Sequence, residues 1–247
     1  MNYAQELDFS DDIICYWESH DMGSRSEYIY PSLPEPYINI YFSLDSNFDI
    51  LIKGISWKAD YLKMNSQLFG VTLRLSGYLQ LRLTRSFEIS NKLISLAKIG
   101  GDQDIRLIGN ITNASSFQDR IKIFKDYFTL KKQIPLSNAE LSLSEAYNYL
   151  LNSYKALNII SKYAEKKELS SRTINRWFVN EIGISPKKLS RVMRFHKALL
   201  VLHSYKEAGF YIDVGYFDQA HFIKEFKEFT GQSPEAYLTM VSDLYNQ

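Results

Sequence analysis

Two segments of this chain, 48 residues apart, carry one pattern. Ile174-Asn175-Arg176-Trp177-Phe178 leads to Gly183-Ile184-Ser185-Pro186, and Phe222-Ile223-Lys224-Glu225-Phe226 leads to Gly231-Gln232-Ser233-Pro234. A repeat at a fixed offset marks a duplicated supersecondary unit, which limits what the region can become. Apolar residues four apart share one face of a helix, and the basic residue between them points away from it. The glycine suits a left-handed helix terminator. Serine then caps a following helix, with proline at its first position, where the missing N–H costs nothing.

Each copy follows a short apolar segment and a tight turn. Ile159, Ile160, Tyr163 and Ala164 come first, 167–169 turns, and Ser170 caps. In the second copy 210–214 forms the segment, Gly215-Tyr216-Phe217 turns, and Asp218 caps. Short helix, turn and second capped helix make a helix-turn-helix pattern, here predicted twice. From Pro186 to about Ser204 one connecting helix is expected. Its apolar stripe is Leu189, Val192, Met193, His196, Leu199 and Leu200, and Lys187, Arg191 and Arg194 line another face. Such a rod suits two adjacent major-groove segments about one turn (~34 Å) apart.

Charge is distributed to match. The 247 residues carry a net charge of only +1, yet 152–237 holds 14 Lys and Arg against 9 Asp and Glu, and 162–197 holds 10 against 3. A basic region beside an acidic remainder points to a nucleic-acid-binding domain joined to something else.

The first part has another period. Ile38, Ile40, Phe42 and Leu44 alternate with Asn39, Tyr41, Ser43 and Asp45, as in a strand with one buried face. Val71, Leu73 and Leu75 alternate with Thr72, Arg74 and Ser76, and Phe48, Ile50 and Ile52 fit a third strand, with a hairpin turn at Ser46-Asn47. From about Phe87 helical spacing takes over, and Phe117, Ile121, Phe124 and Phe128 share one helix face. The stretch 131–138 reads as a boundary. The expected class is α+β: residues 1–134 form a β-rich sandwich or barrel with following helices, and 140–247 an all-α domain.

The single cysteine, Cys15, excludes an intrachain disulfide and reads as a small buried side chain. With no apolar run of ~18 residues and no basic, hydrophobic leader, a soluble cytoplasmic protein with no membrane partner is expected. His20 has no second His or Cys at ligand spacing, so no metal is expected. Nor does any nucleophile triad, carboxylate pair or phosphate loop stand out, so neither a cofactor nor an enzyme is expected. Trp177 and His196 read as core residues.

The segment Ser170 to Phe178 with Gly183-Ile184-Ser185-Pro186 and Arg191-Val192-Met193-Arg194-Phe195 resembles the first unit of AraC/XylS-type transcription regulators. Gly215-Tyr216-Phe217-Asp218-Gln219-Ala220-His221-Phe222, with Phe226-Lys227 and Gly231-Gln232-Ser233-Pro234, resembles their second unit. The likeness spans about 152–238. Residues 70–77, with the helical region to Lys132, resemble the small cupin-like front domains of some members.

The resemblance implies a sequence-specific regulator of double-stranded DNA, with each second helix in the major groove. Base-facing positions fall on Arg172, Asn175 and Arg176, with Ser171 nearby, and on Gln219, Ala220, His221 and Lys224. Arg suits guanine and Asn adenine, while Gln and His bond to base edges. Lys187, Lys188 and Arg194 are expected at phosphates. RNA polymerase, a small-molecule effector at the front domain and a second copy of the chain are the implied partners. The family's usual small Ala is replaced by Tyr211, and Gly209 weakens the same helix. The first unit is therefore expected to carry most of the specificity, and the second to bind mainly backbone or to dock differently. Two alternatives stay open. One is a ligand-binding or enzymatic cupin-like protein with the helical domain as an interaction module. The other is a regulator whose front domain only dimerises.

Overall fold

The computed structural model describes residues 2–20, 27–44, 50–65, 67–96, 100–153, 158–204 and 209–245. The expected turn at Ser46-Asn47, with Asp45 and Phe48, lies outside them. Among the described residues eight strands form the first part: β1 (Asn2–Leu7), β2 (Ile13–His20), β3 (Glu27–Ser32), β4 (Ile38–Ser43), β5 (Ile50–Lys53), β6 (Asp60–Asn65), β7 (Gln67–Leu73) and β8 (Leu93–Ser95). Six make one antiparallel sheet in the order β1-β2-β7-β4-β5-β8, and β3 pairs with β6 in a second.

Register explains the core. Phe42 pairs with Phe69, Ile40 with Val71, and Val71 in turn with Tyr16, so these side chains share one sheet face. Helix α4 (Phe117–Lys131) covers that face, its start capped by Ser116. The Phe124 ring lies 6.1 Å from Tyr16 and 6.2 Å from Phe42, both edge-on. Arg120 reaches from the same helix to Glu18, 2.8 Å away. The Phe117–Phe128 stripe therefore packs on its own sheet.

The opposite face departs from a simple apolar-in, polar-out pattern. Asn39, Ser43, Lys53 and Thr72 are all buried. Polar side chains stay there because they find partners. Thr72 donates to Asn39 at 2.7 Å, and Lys53 donates to the Leu33 carbonyl at 3.1 Å and to Glu35 at 2.5 Å. Gly70 belongs to this face, where a Cβ would stand 2.1 Å from the Trp17 ring.

Two expectations need correction. Leu75 does not extend β7; it opens helix α1 (Leu75–Leu81). The Arg74 N–H still bonds the Asp12 carbonyl beside β2 at 2.9 Å, but the Arg74 carbonyl accepts from the Tyr78 N–H at 3.1 Å, which opens a helical turn and ends the strand two residues early. Helices thus begin at Leu75 and not near Phe87, continuing with α2 (Ser86–Ile89) and, after β8, α3 (Asp102–Thr112).

Beyond α4 the chain is helical: α5 (Asn138–Ser153), α6 (Ile159–Lys166), α7 (Ser171–Trp177), α8 (Pro186–Ser204), α9 (Phe210–Asp213), α10 (Gln219–Thr230) and α11 (Pro234–Tyr245). At the expected boundary, Arg82 donates to the carbonyl of Pro135 at 2.9 Å. One buried apolar cluster runs from the sheet through α5 into both helix-turn-helix units. Tyr147 of α5 donates to the Pro36 carbonyl, and Tyr37 stands edge-on to His196 of α8 at 5.3 Å.

Burial lowers the pKa of His196; the nearby Glu35 carboxylate opposes this, and Lys197 and Lys53 reinforce it. A neutral folded imidazole that protonates near pH 6.5 when unfolded stabilises the fold above that pH and progressively less below it. The urea midpoint should fall between pH 7.5 and pH 5.5, and by less in His196→Gln. Phe124→Ala should lower the unfolding free energy by about 3–5 kcal/mol in urea titration.

Candidate nucleic-acid interface

The repeat folds as two helix-turn-helix units with nearly matching ends. Ser170 accepts from the Thr173 N–H at 3.0 Å to cap α7, and Asp218 accepts from the His221 N–H at 2.7 Å to cap α10. Gly183 and Gly231 terminate the two copies at φ of 82° and 79°. Ser185 and Ser233 then cap α8 and α11 through the N–H groups of Lys188 and Ala236. The preceding turns contain Glu168 and Gly215, both left-handed.

The copies differ inside. Helix α10 runs unbroken for 12 residues, whereas α7 ends after 7 and passes into a π-helical turn, Phe178–Ile182. Such turns are uncommon and shift the backbone register locally. Here the turn abuts the first part of the chain. Ser90 donates to the Ile182 carbonyl, and a Cβ on Gly183 would come within 3.0 Å of Ser90. Nothing in the residue pattern of the repeat announces this turn, and the Ser90 contact that meets it spans 92 positions.

Ser171, Arg172, Asn175 and Arg176 lie on the exposed side of α7, with Ile174 and Phe178 buried on the other. Gln219, Ala220 and Lys224 are likewise exposed on α10. His221 is half-buried, edge-on to Tyr216 at 5.2 Å, with its Nδ1 facing the Phe217 N–H at 3.4 Å. Tyr211 stacks on Phe222 at 6.3 Å. Helix α9, which carries it, is four residues long.

Of the residues expected at phosphates, Lys187 is exposed at the start of α8. Lys188 is half-buried with its ammonium 4.8 Å over the Trp57 ring. Arg194 is turned into the space between the units, where Nη2 lies 2.8 Å from Glu225. Arg191 joins it there, at 2.8 Å from Glu225 and 2.6 Å from Glu228. The Glu228 hydrogen bond raises the Arg191 pKa, and the same bond lowers that of Glu228. Glu225 was missed in the sequence, although its place three after Phe222 and one before Phe226 sets it beside the apolar stripe. A cleft of about 840 Å³ separates the units, lined by Lys187, Arg191, Arg194, His221, Lys224 and Glu225 among others. Among the described residues no group of three His, Cys, Asp or Glu could hold a metal ion, and no helix is long and apolar enough to cross a membrane.

A helix-turn-helix domain family matches residues 163–240. Over nearly the whole chain the fold is similar to that of ToxT from Vibrio cholerae. An apo form of a single-substitution variant from strain SCE256 superposes with a TM-score of 0.52 at 14% identity, covering 95% of this chain and 99% of that one. The unsaturated fatty acid bound wild-type form from the same strain gives 0.51 at 13% identity, with 95% and 97% covered. The C-terminal domain of AraT, a response regulator from Geobacillus stearothermophilus, is 29% identical over 42% of this chain and 86% of that one, with a TM-score of 0.37. Among curated proteins, none matches this sequence.

The caps are testable by themselves. Ser170→Ala and Asp218→Ala should each cost about 1 kcal/mol of stability in urea titration.

Proposed function

Since residues 163–240 are an AraC-type helix-turn-helix domain, we propose that the chain is a transcription regulator whose two units read adjacent major-groove segments of one DNA duplex. The observation that carries this reading is the pair of capped helices, α7 and α10, each with polar side chains bared on the side away from the core. Residues 140–247 would do the reading and 1–134 would control it. Arg172, Asn175 and Arg176, with Ser171 beside them, suit base edges in one groove. Gln219, Ala220, His221 and Lys224 suit the next. Lys187 fits a phosphate as it stands, whereas Lys188 and Arg194 would first have to leave Trp57 and Glu225.

Control by a small molecule is the second part of the proposal. The buried polar sheet face supports it, because the Asn39 side-chain Nδ2 has no hydrogen-bond partner among the described residues. A buried donor left so is costly unless something else satisfies it. A ToxT structure that shares this fold holds an unsaturated fatty acid. RNA polymerase and a second copy of the chain are further proposed partners, and regulation in place of catalysis is the proposed role.

Selection from random duplexes with the purified chain should recover a bipartite site, and footprinting should show two protected grooves on one side. A uniform, salt-sensitive smear on all DNA would overturn the reading. Arg176→Ala should cost about 1–3 kcal/mol of specific binding and relax one base position. Lys187→Ala should weaken binding evenly and reduce the salt slope by about 1.

A further inference from the structure

Glu225 sits on a helix proposed to read DNA, yet it is only 4% exposed. Its carboxylate receives four hydrogen bonds from two guanidinium groups of the connecting helix. Arg191 Nε donates at 2.8 Å, Arg194 Nε at 3.1 Å, and Arg194 Nη2 to both oxygens at 2.9 and 2.8 Å. Both arginines are held from a second side. Arg191 lies 5.2 Å over the Phe229 ring and Arg194 4.8 Å over the Tyr216 ring. Next to Arg194 on α8, Phe195 packs on Phe226 and Phe229 at 5.3 and 5.1 Å. A planar guanidinium fork paired with a carboxylate is strongly directional.

The other supports for α10 are apolar packing of Phe222, Phe226 and Phe229 and, at its far end, the Ala59 N–H on the Phe229 carbonyl at 3.1 Å. Its partner within the unit, α9, has four residues and starts at Gly209 with no side-chain cap. In the first unit the corresponding helix has eight. The aromatic contacts hold α10 against α8, with ring-to-ring geometries less sharply defined than a guanidinium fork on a carboxylate. A buried ion pair adds little net stability, but it penalises every arrangement that separates its charges. Any other angle between α8 and α10 would leave Glu225 buried without its full set of donors.

We propose that Glu225, clamped by Arg191 and Arg194, is the positioning residue that fixes the angle between the two reading helices and thereby the half-site spacing the chain accepts. This rests on the reading of the chain as a two-site DNA binder. Leverage sets the scale. The start of α10 lies six residues, about 9 Å, along the helix from Glu225, so a tilt of about 20° moves it by about 3 Å, near one base-pair step. The clamp also withholds two cations from DNA, since Arg191 and Arg194 face Glu225 and Glu228.

The test uses the full chain and the selected operator, remade with one base pair removed from or added to the spacer. Wild type should lose about tenfold or more in affinity at either altered spacing. Glu225→Gln, which keeps the shape and removes the charge, should bind about tenfold more weakly at the native spacing and differ by less than about threefold among the three. Its base preferences within each half-site should stay unchanged, and its salt slope should steepen because released guanidinium groups can reach phosphates. Arg194→Gln should flatten the spacing profile in the same way. Equal losses on all DNA, non-specific duplexes included, would mean a folding defect and would overturn the clamp. So would a Glu225→Gln profile as sharp as wild type's, which leaves the DNA-reading function standing. If wild type selects no bipartite site, both readings fall.

Discussion

Helices as short as those around the repeat do not persist alone in water, because nucleation costs more than a turn or two of hydrogen bonds returns. α6 has eight residues, α7 seven and α9 four. Their existence depends on one shared apolar interior. Ile174 and Phe178 from the first unit, Phe195 from the connecting helix, and Phe222 and Phe226 from the second are all buried within it. The same cluster extends through α5 to the sheet. Caps and terminators therefore decide where each helix starts and stops, while the burial decides that it forms at all.

On that interior the two units are held in different ways. The first is braced by the front part of the chain, through Ser90 at the π-helical turn and through Trp57 against Lys188. The second is tied to α8 by charge, through Glu225 and the two arginines, and to the front part by the Ala59 N–H on the Phe229 carbonyl at 3.1 Å. A change in the front part thus has a physical route to each reading helix. For the first it is a backbone carbonyl and a lysine side chain, and for the second the end of α10.

Much of the helical part was legible because its signals are local. A cap such as Ser170 or Asp218 acts on an N–H three residues away, and Gly183 and Gly231 act on their own φ. The connecting helix runs from Pro186 to Ser204 as expected, although Leu200 of the expected stripe is exposed and Phe195, outside it, is buried. The strand part was legible where alternation was strict, as in β4 and β5. It misled at Leu75, where the Arg74 carbonyl takes the Tyr78 N–H and the chain turns into a helix. Asn39 and Thr72 read as the polar side of their strands, because the bond that joins them spans 33 residues.

The sequence by itself determined that this chain carries two capped, glycine-terminated helix pairs on a rigid connector, with basic and amide side chains turned away from their apolar faces. Those properties need only helix periodicity and neighbours within a few residues. Tertiary structure alone decided that Arg194 faces Glu225 and not open solvent, that Lys188 lies over Trp57, and that α7 breaks into a π-helical turn. Each of these meets a partner distant in the chain: 31 residues for Arg194, 92 for Ile182. A charged side chain takes its orientation from the nearest opposite charge or ring, and only folding determines which one that is.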